Sequence, residues 1–391
     1  MQVESILPEI LKGTIHKARI NSLTSLVKGI VCHKKLKLSE LGRHLHLTSE
    51  RSGIRIVDRV LGNTYYQERS IELYSCIAKT VIGDNQTPDI LIDWSVIPNS
   101  QRCTNEKEEY QVLRASFAAT GRGITLYEEV HPRAKLGNEQ VQSNFLMNLA
   151  TILPFGCKPS IITDAGFKIP WFKMVLKLGW NYIGRVRGEV QFNEDGEFKP
   201  ISHLFPRAST KALYVGNLVL AKYNPFKTNF YLYTHKLKGR KKTNRNGTFA
   251  KDKESIVHSK GYREPWVIVS SLELHTHPEE IIKKYKSRMS IEEALRDTKS
   301  ILYGFSFNIN QTMKQERYIV WLLLAALAAV VAWIVGFVAE KNKLHHQFQS
   351  NIYRHKRVLS FVFLGCRIIN KNIQILFEYD SLSIIFQGEQ K

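Results

Sequence analysis

The spacing of apolar residues changes character several times along the chain. From the start to about residue 85 they recur at helical intervals. Leu38 to His46 (LSELGRHLH) and Arg51 to Leu61 (RSGIRIVDRVL) make a pair of such segments joined by a short LTSE turn. Arg43, Arg51, Arg55 and Arg59 fall mostly between the apolar positions. The pair fits a helix-turn-helix-like DNA reader and equally a helical bundle with a solvated basic face. From Pro88 the period shortens. Apolar runs at 88–97, 111–118 and 124–130 read as strands, with Gly121-Arg122-Gly123 as a turn between the last two. A helix at 139–153, a short strand at 160–163, a helix at 171–178 and a strand at 180–186 follow. This order predicts a mixed α/β core. The stretch 188–263 is looser, with strand-like runs at 212–223 and 229–234, and reads as a β-rich insertion.

Regular structure resumes with an apolar strand at 266–272. The next helix has a start signal in Thr276-His277-Pro278-Glu279 and is expected to run unbroken to about Lys299. Tyr318 to Ala339 is a 22-residue run without a charge. Its length suits a membrane span. Basic residues flank it without an asymmetry that would orient it, and the reading preferred is a helix buried on all sides. A helix from Tyr353 to Asn370 closes the predicted elements.

Composition adds one thing the pattern does not. Apolar (43%) and charged (23%) fractions are ordinary, which excludes a wholly disordered chain. Charge is not ordinary: 56 Lys and Arg against 35 Asp and Glu leave +21, which points to a polyanionic partner. The run Lys236 to Arg245 carries six basic residues and no acid, and suits a phosphate-contacting loop. Five scattered cysteines fit neither a zinc site nor a disulfide frame and read as reduced, mostly buried thiols. No secretory leader pattern is visible in MQVESILPEILKG.

Candidate chemistry concentrates in the segment 285–299. On one continuous helix Tyr285, Arg288, Glu292 and Lys299 would lie within roughly 60° of one another, on a stripe about 21 Å long. Two cations around one carboxylate suit a metal ligand beside a phosphate track, and also an exposed salt-bridged face. Asp93 and Asp164 alter the balance, since each lies within or directly after an apolar strand, where a carboxylate is costly unless paired. Together with Glu292 they suggest a carboxylate trio holding two Mg2+, for displacement at a phosphodiester. Glu293 points about 100° away from Glu292 and is the weaker ligand candidate. Ser95 has no evident relay partner.

IDWS, ITDAGF, EPWVIVSSL and YKSRMSIEEALRDTKS together resemble the bacterial cut-and-paste DDE transposases of insertion sequences. The likeness is to the hairpin-forming branch marked by Tyr-(2)-Arg-(3)-Glu-(6)-Lys, a spacing this chain meets in full. The resemblance implies an RNase H-like α/β core with a β-rich insertion, a helical DNA-binding domain before it and a helical C-terminal region after it. It divides the chain at 1–85, 86–187, 188–263, 264–345 and a basic tail 346–391. It implies Asp93, Asp164 and Glu292 as catalytic ligands of two Mg2+, with Mn2+ as a substitute. Tyr285, Arg288 and Lys299 would hold DNA phosphates, and Trp266 would stack an extruded base. Arg185 and Arg187 are further candidates for DNA contact.

The activity implied is nicking, hairpin formation and strand transfer on double-stranded DNA, at terminal inverted repeats and then at a target. A dimer on DNA, no membrane partner and a cytoplasmic, nucleoid-associated location go with it. A DNA-binding regulator or an inactive relative is the alternative.

Overall fold

The computed structural model describes residues 2–45, 49–97, 109–235, 264–275, 277–353 and 356–375. In chain order the described helices are α1 (Gln2–Ile10), α2 (Lys17–His33), α3 (Leu38–Arg43), α4 (Glu50–Leu61), α5 (Thr64–Glu68), α6 (Ser70–Ile82), α7 (Glu139–Ile152), α8 (Ile169–Lys177), α9 (Pro278–Lys286), α10 (Met289–Lys299), α11 (Gln315–Lys341) and α12 (Phe361–Asn370). The described strands are β1 (Asp89–Val96), β2 (Tyr110–Ala118), β3 (Gly123–Pro132), β4 (Ser160–Thr163), β5 (Asn181–Val186), β6 (Gln191–Glu194), β7 (Glu197–Pro200), β8 (Leu213–Leu220), β9 (Phe226–Tyr233) and β10 (Trp266–Ser270). The chain forms two compact units, Met1–Pro159 with Met289–Lys391, and Ser160–Arg288.

In the first unit β1, β2 and β3 pair antiparallel, in register Asp93 opposite Arg114 and Arg114 opposite Glu128. The α3–α4 pair places Val57, Val60 and Leu61 inside, with Arg43, Arg51, Arg55 and Arg59 exposed. Ser49 caps α4 by accepting from Ser52 N. The two helices approach so closely that a Cβ on Gly42 or Gly53 would overlap the facing backbone. Helix α11 is long and apolar enough to cross a membrane by length and composition, yet it is almost wholly buried in the unit, against α12, β3 and α2. Gly336 on α11 lies against the Phe361 backbone and Gly365 on α12 against the Ala332 backbone, and a Cβ on either would collide there. Small residues permit this approach.

The tail differs from expectation. Instead of a helix from Tyr353, two short 3-10 turns (Leu344–Gln347 and Asn351–Tyr353) precede α12, which starts at Phe361. Ser360 sets that start by accepting from Phe363 N, and residues 361–369 supply the apolar face.

In the second unit β4 and β5 run parallel, connected through α8. From β5 the sheet continues antiparallel through β10, β9, β8, β6 and β7. Its centre is aromatic: Phe172 stacks on Tyr182 at 4.7 Å, and the Tyr182 hydroxyl meets Thr228 Oγ1 at 2.6 Å. Strands β6 to β9 occupy the stretch read as a β-rich insertion. The basic run 236–245 and the expected cap Thr276 lie outside the described residues.

One helix expected from Pro278 to Lys299 is in fact two. The break falls at Ser287 and Arg288, between α9 and α10 and at the boundary of the two units. Ser287 Oγ donates to the Lys284 carbonyl at 2.6 Å, and Ser287 N and Arg288 N donate to Lys284 O and Tyr285 O. These short-range bonds tighten the turn and end the α-helical ladder. The continuous helix expected to carry the stripe is therefore interrupted: Tyr285 and Arg288 belong to one unit, Glu292 and Lys299 to the other.

Candidate active site

In the first unit, β1 buries Ile90, Leu91 and Ile92 and then delivers Asp93, half-buried, with its Oδ1 accepting from Trp94 N at 2.9 Å. Helix α10 is seated by the buried Ile291 and Leu295 and held by two sets of polar bonds. At the β2–β3 turn, Arg122 Nε donates to Asp297 Oδ2 at 2.7 Å, and Arg122 Nη1 donates to Glu293. From mid-sheet, Arg114 Nε donates to Glu128 Oε1 at 2.5 Å and Nη2 to Thr298 Oγ1 at 3.4 Å. Tyr74 OH donates to the other Glu128 oxygen at 3.5 Å, closing a buried network that spans α6, β2, β3 and α10.

With α10 so fixed, Glu292 and Lys299 line one open cleft of about 790 Å3 together with Asp93, Ser95 and Arg296. Lys299 Nζ donates to Ser95 Oγ at 2.7 Å. Burial, and after it the Arg114 charge, pull the Lys299 ammonium down to about 8 against the opposing pull of Glu128 and Asp93. Burial likewise pushes the Glu128 carboxyl up, opposed by Arg114. Two readings of the sequence are sharpened here. Glu293 is engaged by Arg122 while its neighbour Glu292 faces the cleft. Ser95, given no role from sequence, is the hydroxyl that holds Lys299.

The other expected residues gather in the second unit. Asp164 follows β4 and closes a tight turn, accepting from Gly166 N at 2.8 Å. Tyr285 is buried, its phenol pushed up to about 12 by burial, with Arg288 and Arg185 acting against that and Asp164 adding to it. Trp266 packs edge-on against Tyr285 at 4.9 Å. Arg185 is half-buried on β5, and its Nε and Nη2 are sealed from solvent with no hydrogen-bond partner among the described residues. Arg187 is ion-paired with Glu264 at 2.7 Å. Sequence reasoning missed Arg114, Glu128 and Arg122. Arg114 and Glu128 are equidistant from Gly121, so a hairpin centred there sets them opposite each other, which is the signal that could have found them.

Residues 84–328 match the family model described as the transposase DDE domain. The chain belongs to the DDE-domain transposase family. A comparison with curated proteins finds no match. The matched span begins just before β1 and ends within α11, so it takes in Asp93, Asp164 and Glu292. The transposase is thereby placed among metal-dependent enzymes that cut DNA. The donor chemistry fits in part. Asp93 and Glu292 offer oxygen ligands of the kind a hard divalent cation takes, in one cleft. Among the described residues, however, no three His, Cys, Asp or Glu side chains gather where a metal ion could be held.

Proposed function

We propose that this transposase mobilises an insertion sequence by nicking one strand at each end, forming a hairpin and transferring the freed 3′ end to a target. The observation that carries this reading is the shared cleft of Asp93, Glu292 and Lys299 in a chain whose matched span is a DDE domain. Asp93 and Glu292, with Asp164 as the third carboxylate by its position after β4, are the proposed ligands of Mg2+. When bound, Mg2+ supplies Lewis acidity for in-line displacement at phosphorus. Lys299, steered by Ser95, holds a phosphate oxygen beside the two carboxylates. Tyr285 and Arg288 grip a second phosphate, and the sealed N–H groups of Arg185 gain an acceptor when phosphate arrives. Trp266, edge-on to Tyr285, stacks a base displaced from the duplex. Each step breaks one P–O bond and makes another: water displaces a 3′-oxygen, the freed 3′-hydroxyl attacks the opposite strand to close the hairpin and displaces the flanking strand's 3′-oxygen, a second water reopens the hairpin to free that 3′-hydroxyl again, and it then attacks the target strand, displacing a 3′-oxygen there.

Helices α3 and α4 present the exposed arginines proposed to read the terminal inverted repeats. Both ends must be held together, so a dimer on DNA is the proposed active form. Cleavage of linear DNA carrying the element's terminal repeats, with and without Mg2+, tests the reading. Hairpin-ended products from the wild type with Mg2+, absent with Glu292→Gln, are expected. Specific end binding without any cutting would instead make the chain a regulator or an inactive relative.

A further inference from the structure

Helix α10 carries two stripes of ionisable residues. Glu292, Arg296 and Lys299 recur at helical spacing and line the cleft with Asp93. Glu293 and Asp297, one turn apart, form the second stripe, about a third of the way round the helix. Two carboxylates at that spacing repel each other and weaken an isolated helix. Here one side chain answers both. Arg122, in the β2–β3 turn, donates from Nε to Asp297 Oδ2 at 2.7 Å and from Nη1 to Glu293. The same Nη1 donates to the Gly121 carbonyl at 2.8 Å, which aims the guanidinium within its own turn. Gly121 takes a φ of +78°, open to glycine and strained for other residues. Gly123 lies so close to α10 that a Cβ there would be 3.3 Å from the Ile291 Cα. The turn is shaped to meet the helix, and it meets it at Ile291 and Glu293, the residues on either side of Glu292.

That placement matters because α10 starts its own hydrogen-bond ladder at Met289, and Glu292 sits in its first turn. A first turn lacks part of the backbone bonding that holds a helix interior. The buried Ile291 and Leu295 seat the helix, but apolar contact has no preferred direction. A guanidinium forked between two carboxylates does. Arg114 bonds the far turn through Thr298, which leaves Arg122 to hold the near one. Arg122 does not line the cleft, so it acts on Glu292 only through the helix. We propose that Arg122 is a positioning residue: its grip on Glu293 and Asp297 fixes the rotation of α10 and so keeps the Glu292 carboxylate turned into the cleft, to share a divalent cation with Asp93. The inference rests on the proposed role of the cleft as the Mg2+ site.

The test measures the metal directly. Binding of Mn2+ by the full chain is followed by electron paramagnetic resonance, on a duplex of the terminal repeat that already ends at the cut point and lacks a 3′-hydroxyl, so that no strand is joined. The wild type is expected to bind Mn2+ beyond what the duplex alone binds, and Glu292→Gln to weaken that binding. Arg122→Gln is expected to weaken it about tenfold, the scale of losing a group that orients a metal ligand. Glu293→Gln combined with Asp297→Asn should weaken it by the same factor. Adding Arg122→Gln to that pair should cost nothing more, because the three side chains act as one unit. Arg122→Lys should fall between, since an ammonium lacks the planar fork. In cutting assays Arg122→Gln should need about tenfold more Mg2+ to reach half its maximal rate, while keeping most of that maximum. A clamp that only stabilises the fold behaves differently: a partly unfolded variant binds fewer ions at unchanged affinity. That result, or wild-type Mn2+ affinity in a folded Arg122→Gln, would overturn this inference alone when Glu292→Gln still weakens binding. Mn2+ binding that Glu292→Gln leaves unchanged would overturn the reading of the cleft with it.

Discussion

Two strand arginines, one in each unit, have opposite surroundings. Arg114 on β2 is buried and answered by Glu128 and Thr298. Arg185 on β5 has Nε and Nη2 sealed from solvent without a hydrogen-bond partner among the described residues, and desolvation lowers its pKa. Sealed N–H groups without acceptors are unfavourable for folding alone. The contrast is that Arg114 works inside the protein, holding α10, whereas Arg185 leaves two N–H groups for the phosphate proposed above. Polar satisfaction separates the two roles where residue type and strand location do not.

The largest expected effect breaks the satisfied side of this comparison. Glu128→Ala leaves Arg114 buried without its partner and should lower unfolding free energy by about 3–5 kcal/mol, read by urea denaturation. Replacing both, Arg114→Met with Glu128→Leu, should cost much less than the single change, because no charge is stranded. On the other side, Arg185→Ala should leave stability unchanged within about 1 kcal/mol or raise it. It should weaken DNA binding about tenfold and lower the salt dependence by about one phosphate contact. Destabilisation by Arg185→Ala on the scale of Glu128→Ala would erase the distinction.

A smaller effect comes from pH. Lys299 titrates at about 8 in the fold, below the ordinary lysine value near 10.5, because burial and then Arg114 disfavour its charge. Below about 8 both folded and unfolded chains carry the proton, and the fold bears the cost of burying it. Between about 8 and the ordinary lysine range the folded chain has lost the proton and the unfolded chain has not, so unfolding free energy should rise with pH relative to Lys299→Met. DNA affinity should move the other way, falling as pH passes about 8. Lys299→Arg should flatten that fall, since a guanidinium stays charged. Parallel pH titrations of stability and binding check both signs.

Much of this arrangement was legible before the fold. The apolar run before Asp93, the turn at Gly121, the apolar runs of β2 and β3 and the uncharged run of α11 all follow from local pattern, because each element buries the apolar residues that marked it. The break at Ser287 was not legible. Lys286, Arg288 and Met289 are good helix formers, and no Gly or Pro marks the site. The turn is made by a serine hydroxyl competing for a carbonyl, which the sequence permits equally inside a helix. The same break puts Tyr285 and Arg288 in one unit and Glu292 and Lys299 in the other. The Arg122 clamp was hidden for a different reason: it joins a turn to a helix 171 and 175 residues away, and only tertiary packing brings them together. The start of α12 was misplaced because it is set by the Ser360 cap, and no proline or glycine marks that position.

Two adjacent carboxylates concentrate the account. Glu292 lines the cleft with Asp93, and Glu293 is bound by Arg122. The deciding measurement is the rate of Mg2+-dependent cutting at the element's ends by Glu292→Gln and by Glu293→Gln, side by side. Glu292→Gln should lose about a hundredfold or more, and Glu293→Gln should stay within about tenfold of wild type, since Asp297 still holds Arg122. Rapid cutting by Glu292→Gln, with Glu293→Gln inactive but folded, would contradict the assignment of the cleft.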